Sequence, residues 1–196
     1  MIVNNYFNEI SAIFPISGEY FFRYGTGFFE VGPIYCNWVM NVKRPKYLLW
    51  IVAVEAVGIL SGLLTRQGTI LYQMTAQKPA LTPPGIVFPI VWTILYALMG
   101  IGAARVAAQP AGRARADALN VFVIQLVVNF FWSLLFFNAQ AYGFALLWLL
   151  LLWILILIMM VLFWRVDRIS ALLQIPYLLW VTFAAYLNYA VWQLNR

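Results

Sequence analysis

Histidine is absent from this 196-residue chain. Its absence excludes His-ligated haem, His-containing zinc sites and Ser-His or Cys-His catalysis. Cysteine occurs once, at Cys36, so there is no intrachain disulfide and no Cys-x-x-Cys motif. Charge is scarce as well: 9% of residues, against roughly 25% in soluble domains. Only 6 of them are Asp or Glu, which leaves little material for carboxylate chemistry. Composition thus argues against most enzymes, and no obligatory cofactor or metal is expected. What is abundant is apolar surface, 65% of the chain, and this marks an integral membrane protein. The 12 Lys and Arg residues give a net charge of +6. They sit between apolar runs, where they set topology, so nucleic acid is not an expected partner.

Residues 1–42 form a separate segment. Aromatics such as Tyr20, Phe21, Phe22, Phe28, Phe29 and Trp38 interleave with Gly18, Gly25, Gly27 and Gly32 and with Glu9, Glu19, Arg23 and Glu30. No charge-free run reaches the roughly 20 residues of a span, and a basic n-region with a clean apolar h-region is lacking. Three readings stay open. The segment is a weakly ordered leader, an interfacial or docking segment for a larger complex, or sequence upstream of a start at Met40.

Residues 43–196 carry five apolar runs: about 47–64, 85–104, 118–139, 142–164 and 169–194. The fold class is therefore all-α, an integral membrane bundle of five transmembrane helices with an aromatic-rich N-terminal extension. The first run holds Glu55 and the pair Gly58 and Gly62. Gly-x-x-x-Gly lets helices approach, for dimerisation or for packing within the bundle. A carboxylate within a span faces protein or water; Glu55 makes either a structural hydrogen bond to another helix or a ligand or partner contact. The loop 65–84 is long for a bundle and reads as a lid. The third run carries Gln125, Asn129, Trp132 and Phe136 on one face. Asn129 is the best polar candidate for a pocket, with packing between helices as the alternative. The fourth run has no polar face and reads as largely lipid-exposed. Pro176 should kink or restart the fifth, where Trp180, Ala184 and Asn188 align. Arg23, Lys43, Arg44, Lys46, Arg105, Arg113, Arg115, Arg165 and Arg168 fall on one side, against Arg66, Lys78 and Arg196 on the other. The positive-inside rule puts the N-terminus in the cytoplasm and the long loop outside, with a bacterial inner membrane as the expected location.

The stretch 78–100 organises the rest. Pro83 and Pro84 suit the opening of a helix, and Gly85 allows close approach. Phe88, Trp92 and Tyr96 then follow four apart, stacking three aromatics along one face.

Pro83-Pro84-Gly85 with Trp92, Tyr96 and Gly100 resembles the signature of the TspO, or translocator protein, family. So do Gln125, Asn129, Trp132, Ser133, Phe136 and Phe137 in the third run, and Pro176, Tyr177, Trp180, Ala184, Leu187, Asn188, Leu194 and Asn195 in the fifth. The resemblance covers about residues 47–195. It implies a five-helix membrane bundle, usually dimeric, that binds tetrapyrroles such as protoporphyrin IX as a sensor or transporter. Carried over by motif, the ligand site would be Pro83, Trp92, Tyr96, Asn129, Trp132, Trp180, Ala184 and Leu187, beneath the first loop. The family links the tryptophans at positions 92 and 180 to light-dependent porphyrin breakdown. Two loop aromatics of the family are replaced, by Gln73 and Leu81, which weakens lid closure over a flat macrocycle. The family's cholesterol pattern fails, because six residues separate Tyr189 from Arg196. The alternative is an accessory structural subunit of a larger, pigment-containing membrane complex, docked through the N-terminal extension.

Overall fold

The computed structural model describes residues 47–196 in full and, ahead of them, the backbone of three short strands. The chain divides into two units, Met1–Arg44 and Pro45–Arg196. In the first, β1 (Pro15–Ile16), β2 (Glu19–Tyr24) and β3 (Gly27–Glu30) form an antiparallel sheet in that order. Phe22 stands opposite Phe29, in keeping with the preference of aromatics for strands. The extension thus carries β structure, and the membrane unit is all-α. The docking role expected for residues 1–42 and the Met40 start lie outside the described residues, as do Lys43, Arg44, Lys46 and the side chain of Arg23.

The second unit is built from α1 (Tyr47–Leu64), α2 (Arg66–Thr75), α3 (Val87–Ala107), α4 (Arg113–Ser133), α5 (Tyr142–Val166), α6 (Arg168–Leu172) and α7 (Ile175–Leu194). A π-helical turn, Leu134–Asn138, extends α4. Five of these stretches are long and apolar enough to cross a membrane, with α4 and its π turn forming one and α6–α7 another. Their outer faces expose Leu, Ile, Val and Phe throughout, as a bilayer allows.

Local chemistry sets the boundaries. Pro84 accepts a bond from Val87 N–H at 2.9 Å, so the double proline ends in a turn from which α3 starts. Pro176 lies in the first turn of α7, and the fifth span restarts there rather than kinking. Asp167 caps α6, its carboxylate accepting from Ser170 N–H at 3.0 Å. The same carboxylate takes two bonds from the Arg105 guanidinium, at 2.8 and 3.1 Å, tying the end of α3 to the α5–α6 junction. This pairing holds the Asp167 carboxyl below its ordinary value.

Two expectations need correction. The loop 65–84 is helical over half its length. Gly68 sits in α2 against Phe137 and Asn138 of the π turn, where no side chain would fit. The fourth span is not set apart by lipid exposure. Tyr142, Ala145, Leu149, Leu152, Ile156, Met159 and Phe163 are all buried, at alternating spacings of three and four. This is the seam of a packed helix, and it meets α4 and α7. The span that buries least is α1, where only Val54 and Ser61 are enclosed. A span that is apolar all round carries no sequence signal for which side meets protein and which meets lipid.

Candidate ligand-binding cavity

A cavity of about 810 Å³ opens between α1, α2, α3, the π turn and α7, beneath the segment 76–86. Its walls follow from helical spacing. On α3, Phe88, Trp92 and Tyr96 all face inward. Trp92 and Tyr96 lie 5.3 Å apart at 31°, and Phe88 meets Trp180 edge-on at 5.9 Å. From α7 come Trp180, Ala184, Leu187 and Asn188; from α4 and its π turn come Trp132, Ser133, Phe136 and Phe137.

Seven of the eight residues named from the sequence reach this wall: Pro83, Trp92, Tyr96, Trp132, Trp180, Ala184 and Leu187. Asn129 does not. It is 1% exposed and stands behind the wall, its amide donating to the Tyr96 hydroxyl at 3.2 Å. Asn188 is the amide at the cavity instead. Its Oδ1 accepts from the Trp132 indole at 3.2 Å, and its amide donates to the Tyr142 carbonyl at 2.8 Å. Gln125 accepts from the fully buried Tyr177 hydroxyl at 2.9 Å. These polar side chains fix aromatic rings in place, which a low-dielectric interior makes stringent.

The glycines of α1 act on the cavity. A Cβ at Gly58 would run into the Tyr96 ring, whereas one at Gly62 would meet nothing within 4 Å. Gly58 seats the ring, and Gly62 leaves space. The close helix approach lies lower, where a Cβ at Gly100 would meet the Ile51 backbone at 2.7 Å. Glu55 lines the cavity on the same face. Among the described residues it makes no ion pair and no side-chain hydrogen bond.

The mouth differs from the loop expected. Tyr72, on α2, packs against Phe136, Phe137 and Tyr142 at 5.3, 5.6 and 6.3 Å. Burial pushes its hydroxyl up to about 12. Thr65, Thr69, Tyr72 and Gln73 share one helical face toward the cavity, a periodicity that the loop assignment passed over. Lys78 donates to the Gln73 carbonyl at 3.0 Å and lies over the Tyr72 ring at 5.6 Å. Gln77 exchanges two bonds with the Asn195 side chain, at 2.8 and 2.9 Å, which pins the segment to the end of α7. Gln73 lines the cavity, but Leu81 is 64% exposed and away from it.

Comparison with known proteins agrees with this architecture. The chain is 41% identical over 124 residues to protein CrtK of Rhodobacter capsulatus, covering 61% of this chain and 75% of that protein. It is 40% identical over 157 residues to the tryptophan-rich protein TspO of Chlorobaculum tepidum, covering 80% and 99%. It is 36% identical over 122 residues to the human translocator protein, covering 61% and 72%. The family model described as TspO/MBR matches residues 50–193, nearly all of the membrane unit. With five spans and an aromatic cavity under the first loop, the chain belongs to the TspO/MBR family.

Proposed function

We propose that this protein binds a tetrapyrrole, protoporphyrin IX or a close relative, as a sensor or transporter rather than as an enzyme. One observation carries the reading. A cavity of about 810 Å³ has Trp92, Tyr96, Trp132 and Trp180 on its walls. That volume falls within the range of ligand sites, and aromatic faces suit a flat apolar macrocycle. Binding would rest on stacking and burial, since the chain has no histidine to ligate a metal. The cytoplasmic N-terminus and bacterial inner membrane expected from the charges belong to this reading. Titration with protoporphyrin IX tests it. Each stack is worth roughly 1–3 kcal/mol, so Trp92→Ala with Trp180→Ala should weaken binding by at least about tenfold. Undiminished affinity in the double variant would sink the site.

A second reading, an accessory subunit of a larger complex, draws on α1. This helix buries two residues and exposes Leu48, Leu49, Val52, Leu60 and Leu63. Isolation in mild detergent separates the outcomes. A small homodimer favours the sensor, and co-migration with a large pigmented complex favours the subunit.

A further inference from the structure

Among the described residues, two charged side chains line the cavity, Lys78 and Glu55. Lys78 is at the mouth, where the Gln73 carbonyl and the Tyr72 ring hold its ammonium. Glu55 is halfway along α1, ten residues before Thr65. At 1.5 Å per residue this is about 15 Å below the loop end of the helix. Among the described residues the one ion pair is Arg105–Asp167, and Glu55 has no hydrogen-bond donor. It is half-buried at the depth of the bilayer, where a charged side chain is costly unless something pairs with it. In the turns above it α1 presents Gly58, Ile59, Ser61 and Gly62 to the cavity; Gly58 seats the Tyr96 ring and Gly62 leaves open space. Across the space stand Trp92, Tyr96, Trp132 and Trp180. A carboxylate facing aromatic rings in a low-dielectric cavity matches the recognition of an organic ammonium, by charge pairing and by the ring quadrupoles together.

We propose that Glu55 is a ligand-recognition residue and that the inner end of the cavity takes an amphiphilic organic cation, an alkyl or aryl-alkyl ammonium. The nitrogen sits at Glu55 and the apolar body lies along the Trp92–Tyr96 wall. Lys78 does not oppose this: it is exposed at the mouth, where water and salt screen its charge and the Gln73 carbonyl and the Tyr72 ring hold its ammonium. The inference rests on the proposed function only in treating this cavity as a ligand site.

The test uses the full-length protein in lipid nanodiscs and two probes of equal shape. One is 4-phenylbutyltrimethylammonium, and the other is its neutral analogue with carbon in place of nitrogen. Tryptophan fluorescence follows binding. The wild type should prefer the cation by about tenfold or more. Glu55→Gln should erase that preference, read as the ratio of the two probes' affinities in the same sample, while Glu55→Asp should retain most of it. Equal affinity for the two probes in the wild type overturns the proposal before any variant is made. So does a preference that survives Glu55→Gln. Protoporphyrin IX titrated into the same samples keeps the two ideas apart. Failure of protoporphyrin to bind removes the tetrapyrrole reading and leaves the cation preference standing; loss of the preference alone does the reverse.

Discussion

At the scale of single residues, the cavity depends on a few side chains that cannot be exchanged for close relatives. Gly58 and Gly62 look alike in the sequence, yet the space around them differs. A methyl at Gly58 strikes the Tyr96 ring, which is held by Asn129 behind it. Gly58→Ala should therefore cost about 1–3 kcal/mol through overpacking. It should also reduce protoporphyrin quenching, while Gly62→Ala should leave the thermal midpoint in detergent unchanged. Asn188 is the second such position. Asn188→Ala strands the Trp132 indole N–H on the cavity wall and removes the second bond to the Tyr142 carbonyl. A loss of about 1–3 kcal/mol is expected, read by thermal unfolding. Asn129 illustrates what a sequence conceals at this scale. Its face was legible from the spacing with Gln125 and Trp132, but its distance behind Tyr96 depends on how α3 and α4 are rotated against each other.

At the scale of elements, two connections decide how the helices are held. The segment 76–86 is tethered at Gln77 by the Asn195 side chain, outside the core, where a hydrogen bond is worth about 1 kcal/mol. Asn195→Ala should barely move the thermal midpoint. It should speed amide exchange across residues 76–84 by about tenfold and raise both ligand on- and off-rates. On the opposite side, Asp167 joins α3 to the α5–α6 junction through Arg105 and caps α6. Its folded pKa lies below the ordinary value. The stabilisation it brings is therefore full above the ordinary carboxylate range and is lost as the pH falls below that range, through the depressed folded value. Between about pH 6 and about pH 3 the wild type should lose more stability than Asp167→Asn, measured as the change in thermal midpoint. The starts of α3 and α7 were legible because proline acts locally. α2 was not, because ten residues between a Thr and an Ala, polar on one side and exposed on the other, read as a loop until Gly68 is seen against the π turn.

For the whole molecule, the charges give a direction that can be measured. With Cys36→Ser as background, a cysteine at Thr82 should react with an impermeant thiol reagent in intact cells. One at Ala111 should react only after permeabilisation, and the opposite pattern would invert the topology. What the sequence determined by itself was everything set by composition and local period. Its 65% apolar content required a bilayer, the lengths of five runs required five helices, and the spacing of Phe88, Trp92 and Tyr96 required an aromatic stripe. Tertiary structure decided where each face points. It placed the fourth span's seam in the core and Asn188 rather than Asn129 at the cavity. It also set Glu55 on the cavity wall. The physical reason is the solvent. In water a helix declares its buried face by its apolar stripe, but lipid is as apolar as a protein core. The rotation of each span is then fixed by close packing and by the few polar groups that must find partners.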